Sequence, residues 1–211
     1  MRGVASKVFL AASALMLSEG GFAAADDAGL YAKPVDPNSS FVRIVDPQAT
    51  SVVIAGLSLN DLDQGLSPYV IVKPGEIEMS VGLEKATLKT EPGKYYTYAR
   101  TADGRQKFYV DAVKDDPSKA QVYLYNLSDL HMADLFVPAA KTIALKDVAA
   151  GEAGVVLLRA PLALSFAIQS DGKTVLETAT VDLKRRSGFS IVLTGTSGNY
   201  HVVAVENHLH Q

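Results

Sequence analysis

The sequence predicts an all-β protein: two tandem antiparallel β-sandwich modules that follow a cleaved signal peptide. Three observations carry this. Apolar residues recur with period two rather than 3.6 through most of the chain. Gly-containing turn pairs interrupt those runs at short intervals. Two stretches also echo each other, Ser40-Phe41-Val42-Arg43-Ile44-Val45-Asp46 and Gln121-Val122-Tyr123-Leu124-Tyr125-Asn126-Leu127. Each opens a series of alternating strands after a Pro-containing polar stretch, and internal repetition sets architecture before any single motif does.

The first residues read as an export signal. Arg2 and Lys7 make a positive start, Val8 to Leu17 is apolar, and Ala23-Ala24-Ala25 supplies the small residues of a cleavage site. The apolar run falls short of the roughly 20 residues needed to cross ~30 Å of hydrocarbon, and Glu19 stops its extension. The expected division is a signal peptide at 1–25, an extended segment at 26–37, a first module at 38–114, a linker at 115–119 and a second module at 120–211. The linker Asp115-Asp116-Pro117-Ser118-Lys119 is charged, carries a proline and lacks bulky apolar groups.

Strand faces follow from the alternation. Ile77, Met79 and Val81 share one face against Glu78 and Ser80. Leu164, Phe166 and Ile168 alternate with Ala163, Ser165 and Ala167. Val181 and Leu183, then Phe189, Ile191 and Leu193, repeat the pattern. Asp103-Gly104 and Asp171-Gly172 read as hairpin tips, and Ser197-Gly198 as another turn. Lys94 to Arg100 is a Tyr-rich strand in which Tyr96 and Tyr98 face one way and Tyr95 and Thr97 the other. Such tyrosines serve as core, as a sugar platform or as a protein contact.

Composition limits the function. The chain has 20 Lys and Arg against 23 Asp and Glu, a net charge of −3, which becomes about −4 once Arg2, Lys7 and Glu19 leave with the signal. A chain this acidic, without a basic stripe, is not expected to bind nucleic acid. The absence of cysteine excludes disulfides and thiolate metal sites and suits the Gram-negative periplasm. No nucleophile elbow, phosphate loop or dinucleotide fingerprint is present. Ser197-Gly198-Asn199-Tyr200-His201 is too contiguous to assemble a nucleophile, base and oxyanion donors in space. His208-x-His210 has the spacing of a ligand pair on a strand, but reads as a solvated tail. Catalytic residues, metal and cofactor are therefore not expected. Lys184-Arg185-Arg186 reads as a solvated tip.

The segment Leu30 to Pro37 carries Leu30, Tyr31 and Val35 with two prolines. Tyr31, with Arg43 close behind it, is a candidate surface for docking a partner protein; the bland alternative is that Tyr31 packs as an edge cover on the first sandwich.

Gly29-Leu30-Tyr31, Pro34, Pro37, Ser40-Phe41-Val42-Arg43, Pro74-Gly75, Gly93-Lys94-Tyr95-Tyr96-Thr97 and Tyr125-Asn126-Leu127-Ser128-Asp129 occur in that order. Together they resemble the periplasmic alginate O-acetylation accessory family, the F component of the alginate biosynthesis system. The chain has Asp46-Pro47 where that pattern is expected to close its first strand with Asn. The resemblance implies a periplasmic two-β-domain protein needed for acetylating mannuronate residues of alginate. It implies action beside a membrane O-acyltransferase and periplasmic acetyl-handling proteins. Two alternatives stand beside such a non-catalytic adaptor: a carbohydrate-binding module that holds alginate itself, and an acetyl-transferring enzyme with a Ser or Thr acyl carrier.

Overall fold

The structure, a computed structural model, describes residues 35–114 and 116–210. The expected signal peptide, Tyr31 and Asp115 lie outside the described residues. From Val35 onward the chain closes as one compact unit.

The first module holds β1 (Ser40–Val45), β2 (Val52–Ile54), β3 (Leu57–Leu59), β4 (Val70–Val72), β5 (Gly75–Val81), β6 (Glu84–Thr90), β7 (Tyr95–Arg100) and β8 (Gln106–Asp111). The second holds β9 (Lys119–Asn126), β10 (Met132–Val137), β11 (Thr142–Ala149), β12 (Ala153–Arg159), β13 (Leu162–Leu164), β14 (Ala167–Ser170) and β15 (Lys173–Glu177). It ends with β16 (Val181–Leu183), β17 (Gly188–Thr196) and β18 (Asn199–Glu206). Among the described residues the only helix is one 3-10 turn at Pro138–Ala140, and no helix is long and apolar enough to cross a membrane.

Each module is a sandwich of two four-stranded sheets, and the two share one topology. The order β4-β1-β7-β8 of the first recurs as β12-β9-β17-β18 in the second. Likewise β3-β2-β5-β6 recurs as β11-β10-β14-β15. The paired strands β13 and β16 are an addition to the second module, which explains its longer spacing between the echoing strand and the last hairpin. Ser165 and Phe166 separate β13 from β14, so the alternating run through Leu164 and Ile168 is two strands in two sheets. All-β tandem sandwiches are thus observed, with one feature that alternation does not reveal. In each module one pair is parallel: β1 with β7, and β9 with β17.

Those parallel pairs sit where both faces are covered, the usual setting for parallel strands. Val42 and Ile44 of β1 point into the first sandwich with Tyr96 and Tyr98. Val122 and Leu124 of β9 point into the second with Phe166, Ile191 and Leu193. The opposite faces meet each other: Val45, Ala99 and Tyr109 pack with Tyr123, Tyr125, Leu127, Val192 and Val205 in a third core. The β1–β7 and β9–β17 sheets are therefore the inner layers of a four-layer stack.

The repeat has a definite register. Asp46 N–H donates to the Gly65 carbonyl as Asn126 N–H donates to the Glu152 carbonyl. Arg43 lies opposite Thr97, and Tyr123 opposite Ser190. Arg43 thus corresponds to Tyr123, Thr97 to Ser190 and Asp46 to Asn126. The two echoing stretches match with a one-residue offset from their first letters, which matters because one residue exchanges the two faces of a strand.

The tail after β18 is not solvated backbone. Tyr69 N–H donates to the His208 carbonyl at 2.8 Å, and His210 N–H donates to the Tyr69 carbonyl at 2.8 Å. Residues of the second module thus extend the first module's sheet beside β4. His208 remains exposed at its side chain.

Candidate functional site

Arg43 occupies the centre of the interface between the sandwiches, not a surface. It is 1% exposed. This corrects its expected place on a docking surface. Val42 and Ile44 on either side of it point into the first sandwich, so Arg43 points outward, and that outward face is covered by the second.

Four of its N–H directions are used. Nε donates to Thr97 Oγ1 at 2.9 Å and Nη1 to Asn207 Oδ1 at 2.7 Å. Nη2 donates to the Tyr125 hydroxyl at 2.9 Å and to Ser190 Oγ at 2.8 Å. The guanidinium lies 4.3 Å from the ring centroid of Tyr69, a stacking arrangement that suits its weakly hydrated plane. Its countercharge arrives by relay. Asp111 accepts from Tyr69 at 2.8 Å, from Thr97 at 2.5 Å and from Tyr125 at 2.5 Å. Burial works against the charged guanidinium, but Tyr125, Tyr69 and Asp111 more than offset it, so Arg43 stays charged. Burial pushes the Tyr125 phenol far above its ordinary range; Arg43 opposes that shift and Asp111 reinforces it. Among the described residues no buried side-chain polar atom lacks a hydrogen-bond partner. The network is sealed and structural.

At one end of this interface the two modules leave a cleft of about 310 Å³. Its floor is phenolic, from Tyr69, Tyr95 and Tyr123, and its cations are Lys114, Lys119 and Arg186. Val113 and Leu157 add aliphatic wall. Among the described residues no carboxylate lines it, although Lys119 pairs with nearby Asp116 at 3.3 Å. Tyr95 is held by stacking on Phe41 at 4.1 Å and by an edge contact with Tyr69 at 5.2 Å. The Lys114 backbone is pinned by Gln121, whose Oε1 accepts its N–H at 2.9 Å. Phenol rings held in place beside cationic side chains, one of them paired with Asp116, are suited to a polar group with an apolar body.

At the other end Asp46 and Arg100 line a second cleft of about 500 Å³ together with Leu127, Thr194 and His201 of the second module. Asp46, 4% exposed, takes Arg100 at 2.8 Å, and Arg100 also reaches Glu84 at 2.6 Å. The corresponding Asn126 instead spans the Leu130 and Val148 carbonyls at 2.8 and 3.0 Å. Acid at one position and amide at the other thus follow their partners, a cation in one case and carbonyls in the other.

The remaining candidates resolve simply. Tyr96 and Tyr98 are core; Tyr95 alone reaches the cleft. The Ser197–Gly198 turn is a hairpin tip with positive φ at both residues, tied down by Asp129, which accepts Ser197 N–H and the Tyr200 hydroxyl at 2.9 Å each. Among the described residues no group of three or more potential ligands is placed to hold a metal ion. Lys184 pairs with Glu206 at 2.8 Å, Arg185 donates to the Ala160 carbonyl, and Arg186 reaches the cleft. Lys114, Lys119, Tyr69 and Tyr123 were not singled out as site residues, since no local spacing joins them.

The family model described as "Alginate O-acetyl transferase AlgF" matches residues 14–189. The chain belongs to the AlgF family. "Alginate biosynthesis protein AlgF" of Pseudomonas aeruginosa is 29% identical over 199 residues, covering 92% of this chain and 91% of the relative. The protein of the same name from Pseudomonas putida is 29% identical over 201 residues, covering 93% and 91%. The solved C-terminal domain of AlgF from P. aeruginosa aligns with TM-score 0.38 and 28% identity over 43% of this chain and 99% of that domain. The family resemblance read from the short ordered motifs is therefore shown.

Proposed function

We propose that this AlgF-family chain is a periplasmic, non-catalytic accessory protein of alginate O-acetylation, an adaptor for a membrane O-acyltransferase and periplasmic acetylation proteins. The observation that carries the reading is the Arg43–Asp111 relay. It fixes two sandwiches as one body, so surfaces on both modules keep a constant separation and angle, as an adaptor requires. The polar groups gathered at the centre are spent on holding that body together. A second reading, a module that holds alginate itself, is favoured by the cations and tyrosines of the cleft.

Deleting the gene tests the proposal. Polymer yield is expected to persist while its acetyl content falls sharply, with the wild-type protein recovered from the periplasm with Asp26 as its first residue. Purified protein is expected to transfer no acetyl group from a model donor. Turnover that disappears on changing one Ser or His would make it an enzyme instead.

A further inference from the structure

We propose that the open edge of β8 pairs, antiparallel, with the β8 edge of a second copy of this chain, giving a two-fold dimer. The proposal goes beyond the adaptor reading and does not depend on it. Strand β8 pairs only with β7. Among the described residues no other backbone group bonds to residues 106–110.

The phase of the β7–β8 ladder decides which groups stay free. Thr101 N–H donates to the Arg105 carbonyl at 3.0 Å, and hydrogen-bonded pairs alternate along an antiparallel ladder. Lys107 and Tyr109 therefore bond to Ala99 and Thr97 across the ladder. Gln106, Phe108 and Val110 turn their N–H and C=O groups outward from the edge. Phe108 and Val110 stand opposite Tyr98 and Tyr96, on the core face of the first sandwich. Yet they are 40% and 63% exposed. In the repeat β8 corresponds to β18, whose Tyr200, Val202 and Ala204 pack against their own core. The outward residues of β8 thus carry both free backbone groups and uncovered apolar side chains, a template for an added strand.

The register singles out a second copy. Antiparallel pairing centred on Tyr109 sets Phe108 of each chain opposite Val110 of the other. Both residues offer outward groups, so each such pair exchanges two hydrogen bonds. Each also places an aromatic side chain against a β-branched one on the same face, a favourable cross-strand pair. A two-fold axis makes that match twice. Centred on Phe108 instead, the pairing would set Val110 against Gln106 and lose it.

The edge has support beside it. Tyr109 donates to the Gly151 carbonyl at 3.0 Å and Lys107 reaches Glu152 at 3.1 Å. Strand β12, an edge of the second module's inner sheet, therefore lies on the same side of the stack. Strands of 6 and 7 residues are about 20 Å long, and four layers ~10 Å apart span about 40 Å, so this side offers roughly 800 Å². A standard interface takes about that area from each partner. On the opposite side β4 is already covered, since Tyr69 pairs with His208 and His210 there.

Sedimentation equilibrium of the full mature chain over a wide concentration range is the test. The mass is expected to rise from one chain to two. Val110→Pro removes only an outward N–H that β7 does not use, a place where an edge strand tolerates proline. It is expected to weaken the dimer roughly tenfold to thirtyfold, since each chain loses one donor, with the melting temperature of the monomer unchanged. Val110→Lys keeps the backbone donor but sets a cation against Phe108 of the copy, and is expected to weaken the dimer as well. The chain has no cysteine, so Val110→Cys is expected to be joined to its copy by a short bismaleimide. Lys173→Cys, at an exposed position of β15, is expected not to be. A chain that stays monomeric at millimolar concentration would overturn the proposal. So would a dimer indifferent to both Val110 variants, which would lie on another face. A dimer weakened by Val110→Lys and not by Val110→Pro would also overturn it, as apolar contact without strand pairing. Acetylation that falls in the gene deletion beside a monomeric chain would remove the dimer and leave the adaptor reading standing.

Discussion

Arg43 shows how a single residue is misplaced when only its own strand is considered. Val42 and Ile44 on either side of it point into the first sandwich, so Arg43 must point away from it. For an isolated sandwich, away means water. Here it means Tyr125, Ser190 and Asn207 of the second module. Arg43→Ala would strand Asp111 as a buried charge without its counterion, and the expected cost is about 3–5 kcal/mol to the docking of the two modules, seen as an earlier first transition in urea unfolding. An unchanged midpoint would show that water replaces the guanidinium freely. The phenols give a second test. Tyr69, Tyr109, Tyr123 and Tyr125 are all pushed above the ordinary value, in each case chiefly by burial. In the unfolded chain they ionise near pH 10, while in the folded chain they hold their protons. Their contribution is therefore complete below about pH 10 and is lost as pH rises beyond it. Unfolding free energy measured from pH 8 to 11 is expected to stay level and then fall. A profile still level at pH 11 would contradict the burial of these rings.

At the scale of elements, the inner strands and the tail do the joining. Strand β17 reads as half-buried, yet Ser190 and Val192 on its second face are as buried as Ile191 and Leu193. Its alternation separates two cores, not core from solvent. The chain following β18 then crosses to the first module, where Asn207 Oδ1 accepts from both Arg43 and Ser190 and Tyr69 pairs with His208 and His210. Asn207→Leu removes the acceptor while keeping the side chain's bulk. The expected cost is about 1.5–3 kcal/mol, because the lost bond involves a charged donor. Chemical denaturation of the purified variant measures it. Hairpin tips were easier to read than this joint: Asp171-Gly172 and Ser197-Gly198 both adopt positive φ at both residues, a demand that local sequence announces.

At the scale of the molecule, the shared core and the Arg43 relay make two sandwiches one body. The wild-type chain is expected to unfold in a single transition seen alike by tyrosine fluorescence and backbone dichroism. Arg43→Ala is expected to separate this into two, as the less stable module melts first. Two transitions already present in the wild type would show that the interface contributes little. The second module alone would expose Tyr123, Tyr125, Val192 and Val205, which the full chain buries. Its isolated form is expected to be the less stable and to associate through that face.

The sequence by itself determined the all-β class, the tandem repeat, the hairpin tips and the family, because each depends on short-range signals: period-two alternation, turn residues and the order of short motifs. Only the tertiary structure decided what lies against each outward face. The parallel pairing of β1 with β7 and of β9 with β17 joins strands far apart in sequence, and no local pattern records the partner. The cleft has the same origin. Tyr69, Lys114, Tyr123 and Arg186 come from separate loops and strands of both modules and meet only because the two inner sheets pack face to face.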